Sequence, residues 1–307
     1  MKKCSIIMPA YNAEATIEKA IKSVVAQSLK DIELIIVNDG SVDNTRAVIK
    51  NFVETCHRKD LNIYVFDQVN KGVGCARNLG LANASGEYIG WIDADDEIPE
   101  NYFSTLIAIC EFSGSKIGMC DILFKSQGGE NSRCSIFEES KILPKEKALF
   151  ELCKDDACKS WIANKVFHKS LFNEIRFPML VALEDYAIMH KLFDNCKHIA
   201  YTKDICYICH ENVESLTRKM TATKQWNWIF PARDRYEYML KLHPNLAAYA
   251  FRVFAIFVLQ TIKYSKTDDS FVWDNPKKRI LRKYIFQLVL LSTLTLKQKV
   301  RYIKYCL

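Results

Sequence analysis

The chain has 307 residues, 49% of them hydrophobic and 26% charged, with a formal net charge of +7. That length suits one large domain or a domain with an appendage, and the composition excludes a disordered or fibrous chain. The charge is uneven: from Lys241 onward thirteen Lys and Arg face three Asp, a surplus of ten that leaves the first 240 residues at minus three.

The elements alternate from the start. Cys4–Met8 is a short apolar run that Pro9 is expected to stop, too short for a signal-peptide core because Tyr11-Asn12-Ala13-Glu14 follows at once. Export is therefore not expected. Ile17, Ala20, Ile21, Val24 and Val25 carry the spacing of an amphipathic helix. Ile32–Val37 is an apolar, β-branched run suited to a strand buried on both faces, and Asp43–Val53 reads as the next helix. Asn62–Phe66, Tyr88–Ile92 and Ile117–Phe124 read as strands, with helices at Cys75–Ala84 and from about Glu100 to Phe112. This alternation predicts an α/β architecture whose mostly parallel sheet is covered on both faces. Gln127–Arg218 is more irregular, mixing short strands with a helix at Asp185–Phe193. Beyond Thr221 the pattern is helical, with breaks near Ser265–Asp269 and Asn275–Pro276. No run reaches the roughly 18 uncharged apolar residues of a membrane span. The longest candidates are Val253–Leu259 and Tyr284–Leu296. The twelve cysteines are scattered, and read as reduced, mostly buried thiols.

Ligands of an open parallel sheet bind beyond the carboxyl ends of its strands. Three polar clusters fall there: Pro9–Glu14 after the first strand, Asn38–Asp43 after the second and Asp93-Ala94-Asp95-Asp96 after the fourth. Turn and helix-cap chemistry accounts for one such cluster, but three on one sheet edge point to a site. The carboxylates of Asp93, Asp95 and Asp96 would repel one another at the end of a buried strand. A divalent cation removes that cost, and all-oxygen ligation suits Mg²⁺ or Mn²⁺.

Four segments then share a pattern. Ser5-Ile-Ile-Met-Pro-Ala-Tyr-Asn12, Ile36–Thr45, Asn70–Gly80 and Trp91–Asp96 resemble, in order and at the right separations, the signatures of family 2 glycosyltransferases. The resemblance is strong from residue 4 to about 125, weaker at Trp161–Ser170 and Leu183–Tyr186, and faint at Tyr207–Arg218. It implies a GT-A fold, a central sheet with helices on both faces, in residues 1–220, with a helical, basic extension in 221–307. It also implies an inverting, metal-dependent hexosyltransferase that uses a nucleotide-sugar, with UDP-sugar favoured, on a glycan or lipid-linked acceptor of surface polysaccharide synthesis. Carried over by position, Pro9, Tyr11 and Glu14 would line the nucleobase pocket with Asp39, and Asn12 and Gly40 would also bind the nucleotide-sugar. Arg77 would approach the diphosphate, and Lys71 would be a further nucleotide-sugar contact. Asp93 and Ala94 would lie near the ribose, Asp95 would ligate the metal with Asp93, and Asp185 beside Glu184 would be the general base. The chemistry needs such groups: a carboxylate takes the acceptor's proton while a cation neutralises the departing diphosphate. An acidic helix start accounts equally well for Glu184-Asp185 on spacing alone.

Other patterns carry less. Gly72-Val-Gly74-Cys-Ala-Arg77 has Arg where a dinucleotide fingerprint needs its third glycine, so it reads as a glycine-rich turn into a helix. Cys206-Tyr-Ile-Cys209-His210 matches a haem-attachment pattern on a stretch that reads as a strand, with no second cysteine pair for zinc, and structural cysteines are expected. His210 remains a candidate near the donor phosphates, and Trp161 a candidate sugar contact as well as a core residue. The basic tail admits a solvated helix face or a helix lying on anionic lipid at the inner face of the cytoplasmic membrane, and nucleic acid is not expected. A catalytically silent nucleotide-sugar-binding module, another nucleotide donor and a polymerase stay open as alternatives.

Overall fold

The computed structural model describes residues 2–126, 128–155, 158–180, 182–211, 220–290 and 295–306. Two compact units make up the chain, an α/β unit and a helical unit. The first holds β1 (Cys4–Ala10), α1 (Ile17–Val25), β2 (Ile32–Asn38), α2 (Thr45–Thr55), β3 (Leu61–Asp67), α3 (Val73–Asn83), β4 (Tyr88–Trp91), α4 (Tyr102–Ser113) and β5 (Ile117–Lys125). It continues through β6 (Ser132–Cys134), β7 (Lys141–Pro144), α5 (Lys145–Lys154), β8 (Lys165–His168), α6 (Glu184–Asp194) and β9 (His198–His210).

The strands form one sheet in the order β3-β2-β1-β4-β8-β5-β9-β7, with β6 alongside β5. Every residue of β1 and β2 is buried, as strands covered on both faces require. Strands β3, β2, β1 and β4 run parallel, so their carboxyl ends share one edge. The far half is mixed. Strand β8 lies antiparallel between β4 and β5, so the fifth strand does not neighbour the fourth as simple alternation suggests. This reversal brings the start of β8 to the edge where β4 ends.

Pro9 does not stop the first strand. β1 continues to Ala10, pairing Pro9 with Val37, while β4 on the other side is matched only as far as Ile7. Proline costs no ladder bond where one flank is already unpaired. On α1, Ile17, Ala20, Ile21 and Val24 are buried, the stripe that the periodicity predicts. Helix α4 ends on Gly114 in the left-handed conformation, a common helix stop.

The helical unit comprises α7 (Ala222–Leu242), α8 (Ala247–Tyr264), α9 (Asn275–Lys283), α10 (Ile285–Leu290) and α11 (Leu296–Cys306). Its core is aromatic: Tyr236 meets Phe251 at 4.7 Å between ring centroids, and Phe254 meets Tyr284 at 5.0 Å. Asn275-Pro276 opens α9 behind an Asp274 cap, which accepts from the Lys277 N–H at 2.9 Å. By length and composition the stretch Pro244–Tyr264 could cross a membrane once Arg252 and Lys263 are tolerated, which a count of uncharged runs overlooks. In its most apolar 18-residue window 56% of the residues are buried within the protein, the behaviour of a core helix. Cys4, Cys110, Cys120, Cys153, Cys158 and Cys196 are buried thiols, and no disulfide occurs among the described residues.

Candidate active site

The polar clusters at the carboxyl edge are bonded to one another. The turn after β1 is stitched to the turn after β2: the Asn12 N–H donates to Ser41 Oγ at 3.0 Å, and Asn12 Oδ1 accepts from the Val42 N–H at 2.9 Å. Glu14 Oε2 accepts from the Asn44 N–H at 2.8 Å. Asn12 takes a positive φ of 48°, tolerated by Asn, and holds the turn open beside Tyr11, which is half-exposed.

Asp39 is buried, and its carboxylate accepts from Gln68 Nε2 at 2.6 Å and from the backbone N–H groups of Lys71 and Gly72, both at 2.9 Å. Three bonds leave about one of a carboxylate's roughly four acceptor positions free. Gly40 has φ +71°, and a Cβ there would lie 2.7 Å from the Asn70 backbone nitrogen, so only glycine suits this crossing. Lys71 itself is exposed.

Arg77 joins the two acidic motifs. It is buried on α3, with one terminal nitrogen on Glu184 and the other 3.1 Å from Asp93 Oδ1, while its guanidinium lies 5.7 Å from the Phe177 ring centre. Glu184 and Asp185 occupy the first turn of α6, whose preceding residue Leu183 has a φ of +63°. Asp185 Oδ1 accepts from the Tyr186 N–H at 2.6 Å. Part of the Asp185 side chain meets solvent, yet the group sits deep among protein atoms. Burial, then the Glu184 charge, push its carboxyl up to about 7, against the opposing pull of Arg77 and Lys165.

The acidic loop is crowded. Ala94 is buried, Asp93 and Asp95 are half-buried, and burial plus the charges of Asp93 and Asp95 push the Asp96 carboxyl up to about 8. Among the described residues no three His, Cys, Asp or Glu side chains converge as a cation site. The donor set nevertheless fits Mg²⁺ or Mn²⁺, which commonly take one or two carboxylates and complete their shell with phosphate and water. Asp93 and Asp95 supply two, and a cation would relieve the repulsion that Asp96 registers.

The family model for glycosyl transferase family 2 matches residues 5–176, more than half of the chain. The chain belongs to that family. It is 29% identical over 253 residues to glycosyltransferase GlyA of Streptococcus pneumoniae, covering 80% of this chain and 35% of GlyA. It is 29% identical over 201 residues to the GalNAc(5)-diNAcBac-PP-undecaprenol beta-1,3-glucosyltransferase of Campylobacter jejuni, covering 63% of this chain and 64% of that one. The chain thus spans only part of these curated relatives. Its fold is that of S. aureus TarS 1–349, solved with UDP-GlcNAc: TM-score 0.71 at 20% identity, over 99% of this chain and 89% of that one. This is the GT-A fold.

In this family 2 chain His210 and Trp161 both make contacts within the protein. The His210 ring is turned onto Glu97, which also pairs with Lys19 at 2.7 Å, while the His210 N–H donates to Asp96 at 2.9 Å. Trp161 is half-buried, edge-on to Phe124 at 5.9 Å. Sequence reasoning missed Tyr207, a buried hydroxyl that accepts from the Asp93 N–H at 3.1 Å and bonds Asp96.

Proposed function

We propose that this family 2 glycosyltransferase is an inverting, metal-dependent hexosyltransferase, with residues 1–220 catalytic and 221–307 an extension. The donor is a nucleotide-sugar, a UDP-sugar by preference, and the acceptor a glycan or lipid-linked saccharide of surface polysaccharide synthesis. The observation that carries this reading is the Asp93–Arg77–Glu184 chain of contacts, which brings the acidic loop and the Glu184-Asp185 pair to one sheet edge. The undecaprenol in one relative's name and the UDP-GlcNAc bound to TarS support the acceptor and donor classes.

In this reading Pro9, Tyr11, Asn12, Glu14, Asp39 and Gly40 bind the nucleoside, and Lys71 lies beside the diphosphate. Arg77 holds the acidic groups in place. Asp185 accepts the proton of the acceptor hydroxyl as its oxygen bonds to the anomeric carbon. The bond from that carbon to the diphosphate oxygen breaks on the opposite face, so configuration inverts. A base whose carboxyl is raised towards neutral is matched to this proton transfer. A cation held by Asp93 and Asp95 would neutralise the leaving diphosphate as a Lewis acid.

The helical unit suits a peripheral position on the cytoplasmic face of an anionic membrane. Phe286 and Leu290, one turn apart on α10, are 78% and 79% exposed, and Leu296 on α11 is 78% exposed. Arg279, Arg282, Lys283 and Lys297 are exposed on the same three helices, α9 to α11. Apolar anchors among basic side chains are what an anionic lipid surface attracts.

A thermal-shift panel tests the donor: UDP, GDP, dTDP and CDP, each with and without Mn²⁺, on wild type and Asp95→Ala. At 100 times its dissociation constant a ligand stabilises by about 2.7 kcal/mol. A Mn²⁺-dependent shift with UDP, lost in the variant, is expected. No shift with any nucleotide would favour a scaffolding role instead.

A further inference from the structure

Lys165 stands at the first position of β8, on the edge where β4 ends, and is fully buried. Its ammonium donates to the carbonyl oxygens of Lys159 at 3.0 Å and Trp161 at 2.6 Å, and to Asn164 Oδ1 at 2.8 Å. All three acceptors are neutral. The same segment is tied to β5: Asn164 Nδ2 donates to the Cys120 carbonyl at 2.6 Å, and the Cys120 N–H to the Asn164 carbonyl at 3.1 Å.

Burying an ammonium is expensive even when hydrogen-bonded, and a Met or Leu would fill this space without that cost. The titratable groups acting on Lys165 are Cys158, Asp185 and Cys120. Burial pushes both thiols up to about 12, so they stay neutral and Asp185 is the anion of the set. The groups acting on Asp185 are Glu184, Arg77 and Lys165. Arg77 is already engaged by Glu184 and Asp93, so among the described residues Lys165 is the cation of this pair that no carboxylate contacts.

We infer that Lys165 is a positioning residue of the transferase: its ammonium staples the Trp161 segment to β8 and sets a positive charge within electrostatic reach of Asp185. The inference rests on Asp185 being the general base. The staple holds the Lys159–Asn164 segment against the start of β8, and the charge favours the ionised, proton-accepting form of Asp185. Burial lowers the Lys165 ammonium to about 8, so the charge is present over the neutral range in which the base works.

Two substitutions separate staple from charge. Lys165→Met removes both, whereas Lys165→Gln keeps N–H donors and removes only the charge. With donor and acceptor in steady-state assays, both variants should move the acid limb of the kcat/KM profile upward by about 0.5–1 pH unit. K165M alone should also lower Tm by several degrees, because the Trp161 segment loses the donors that tie it to β8. Should K165M not accumulate as folded protein, K165Q carries the pH test by itself. A lower Tm with the pH limb unmoved in K165Q would mean a purely structural lysine and overturn the inference. Asp185→Asn is run beside them: activity retained there would sink the base assignment, whatever Lys165 does.

Discussion

Replacing Arg77 by Met tests the buried contact that unites the site. Glu184 is 6% exposed, and the substitution leaves its charge buried without its cation. Breaking such a pair from one side costs about 3–5 kcal/mol. Asp93 loses a partner too, but its side chain is 40% exposed and regains water, so its share is about 0–1 kcal/mol. For a domain of this size each kcal/mol moves Tm by about 2–4 °C, which gives an expected fall of about 6–20 °C. The companion Arg77→Met/Glu184→Gln removes both buried charges together and should recover much of the loss. Urea unfolding of wild type, both single variants and the double variant completes the cycle, with an expected coupling of about 2 kcal/mol or more. A single Arg77→Met variant within about 1 kcal/mol of wild type, or strictly additive effects, would refute the view that this pair is a buried, structure-bearing contact.

Two further outcomes follow from charge placement. The native chain holds the Asp185 proton more tightly than the unfolded chain does, its carboxyl being raised from 3.8 to about 7. Ionising it therefore costs stability as pH rises through that window, and the cost persists above it. Asp185→Asn should gain about 2 kcal/mol near pH 8, discounted for the solvent its side chain keeps, gain nothing near pH 4, and lose transfer at every pH. Melts at both pH values check it, and an equal effect at the two would contradict the raised carboxyl. For the helical unit, sedimentation with anionic vesicles should fall steeply between about 50 and 200 mM salt and drop several-fold in Phe286→Ser/Leu290→Ser. Equal binding to neutral vesicles would discard the charge argument.

The amino-terminal half of the fold was readable because its signals are local. Ile17, Ala20, Ile21 and Val24 show a helical stripe, and the all-buried runs of β1 and β2 are continuous apolar stretches. Sheet order was not readable beyond β4. Inserting β8 antiparallel between β4 and β5 depends on pairing Gly90 with Val166 and Gly118 with Val166, contacts far apart in sequence that leave no periodic trace. Pro9 misled for a related reason. A proline stops a strand only where its missing N–H faces a partner, and that depends on where the neighbouring strand ends.

The site divides in the same way. The turn residues Asn12, Asp39, Gly40 and Asp93–Asp96 announce themselves through composition and their place after apolar runs. Tyr207 and Lys165 do not, because a hydroxyl or an ammonium in a mostly apolar strand looks like a surface interruption until the fold shows which side is buried. Arg77 shows the limit most clearly. Read as a basic residue in a glycine-rich turn, it suggests a phosphate ligand, yet both of its terminal nitrogens go to carboxylates. The net charge of the site supplies the reason. Asp93, Asp95, Asp96, Glu184 and Asp185 gather at one sheet edge, and a fold can hold that many carboxylates only by burying cations among them. Arg77 and Lys165 are those cations, and they stay with the protein whether or not a metal and a diphosphate arrive. The carboxyls of Asp96 and Asp185 are both raised, first by burial and then by the neighbouring carboxylates, and that uncompensated charge is what a divalent ion at Asp93 and Asp95 would relieve in the proposed reading.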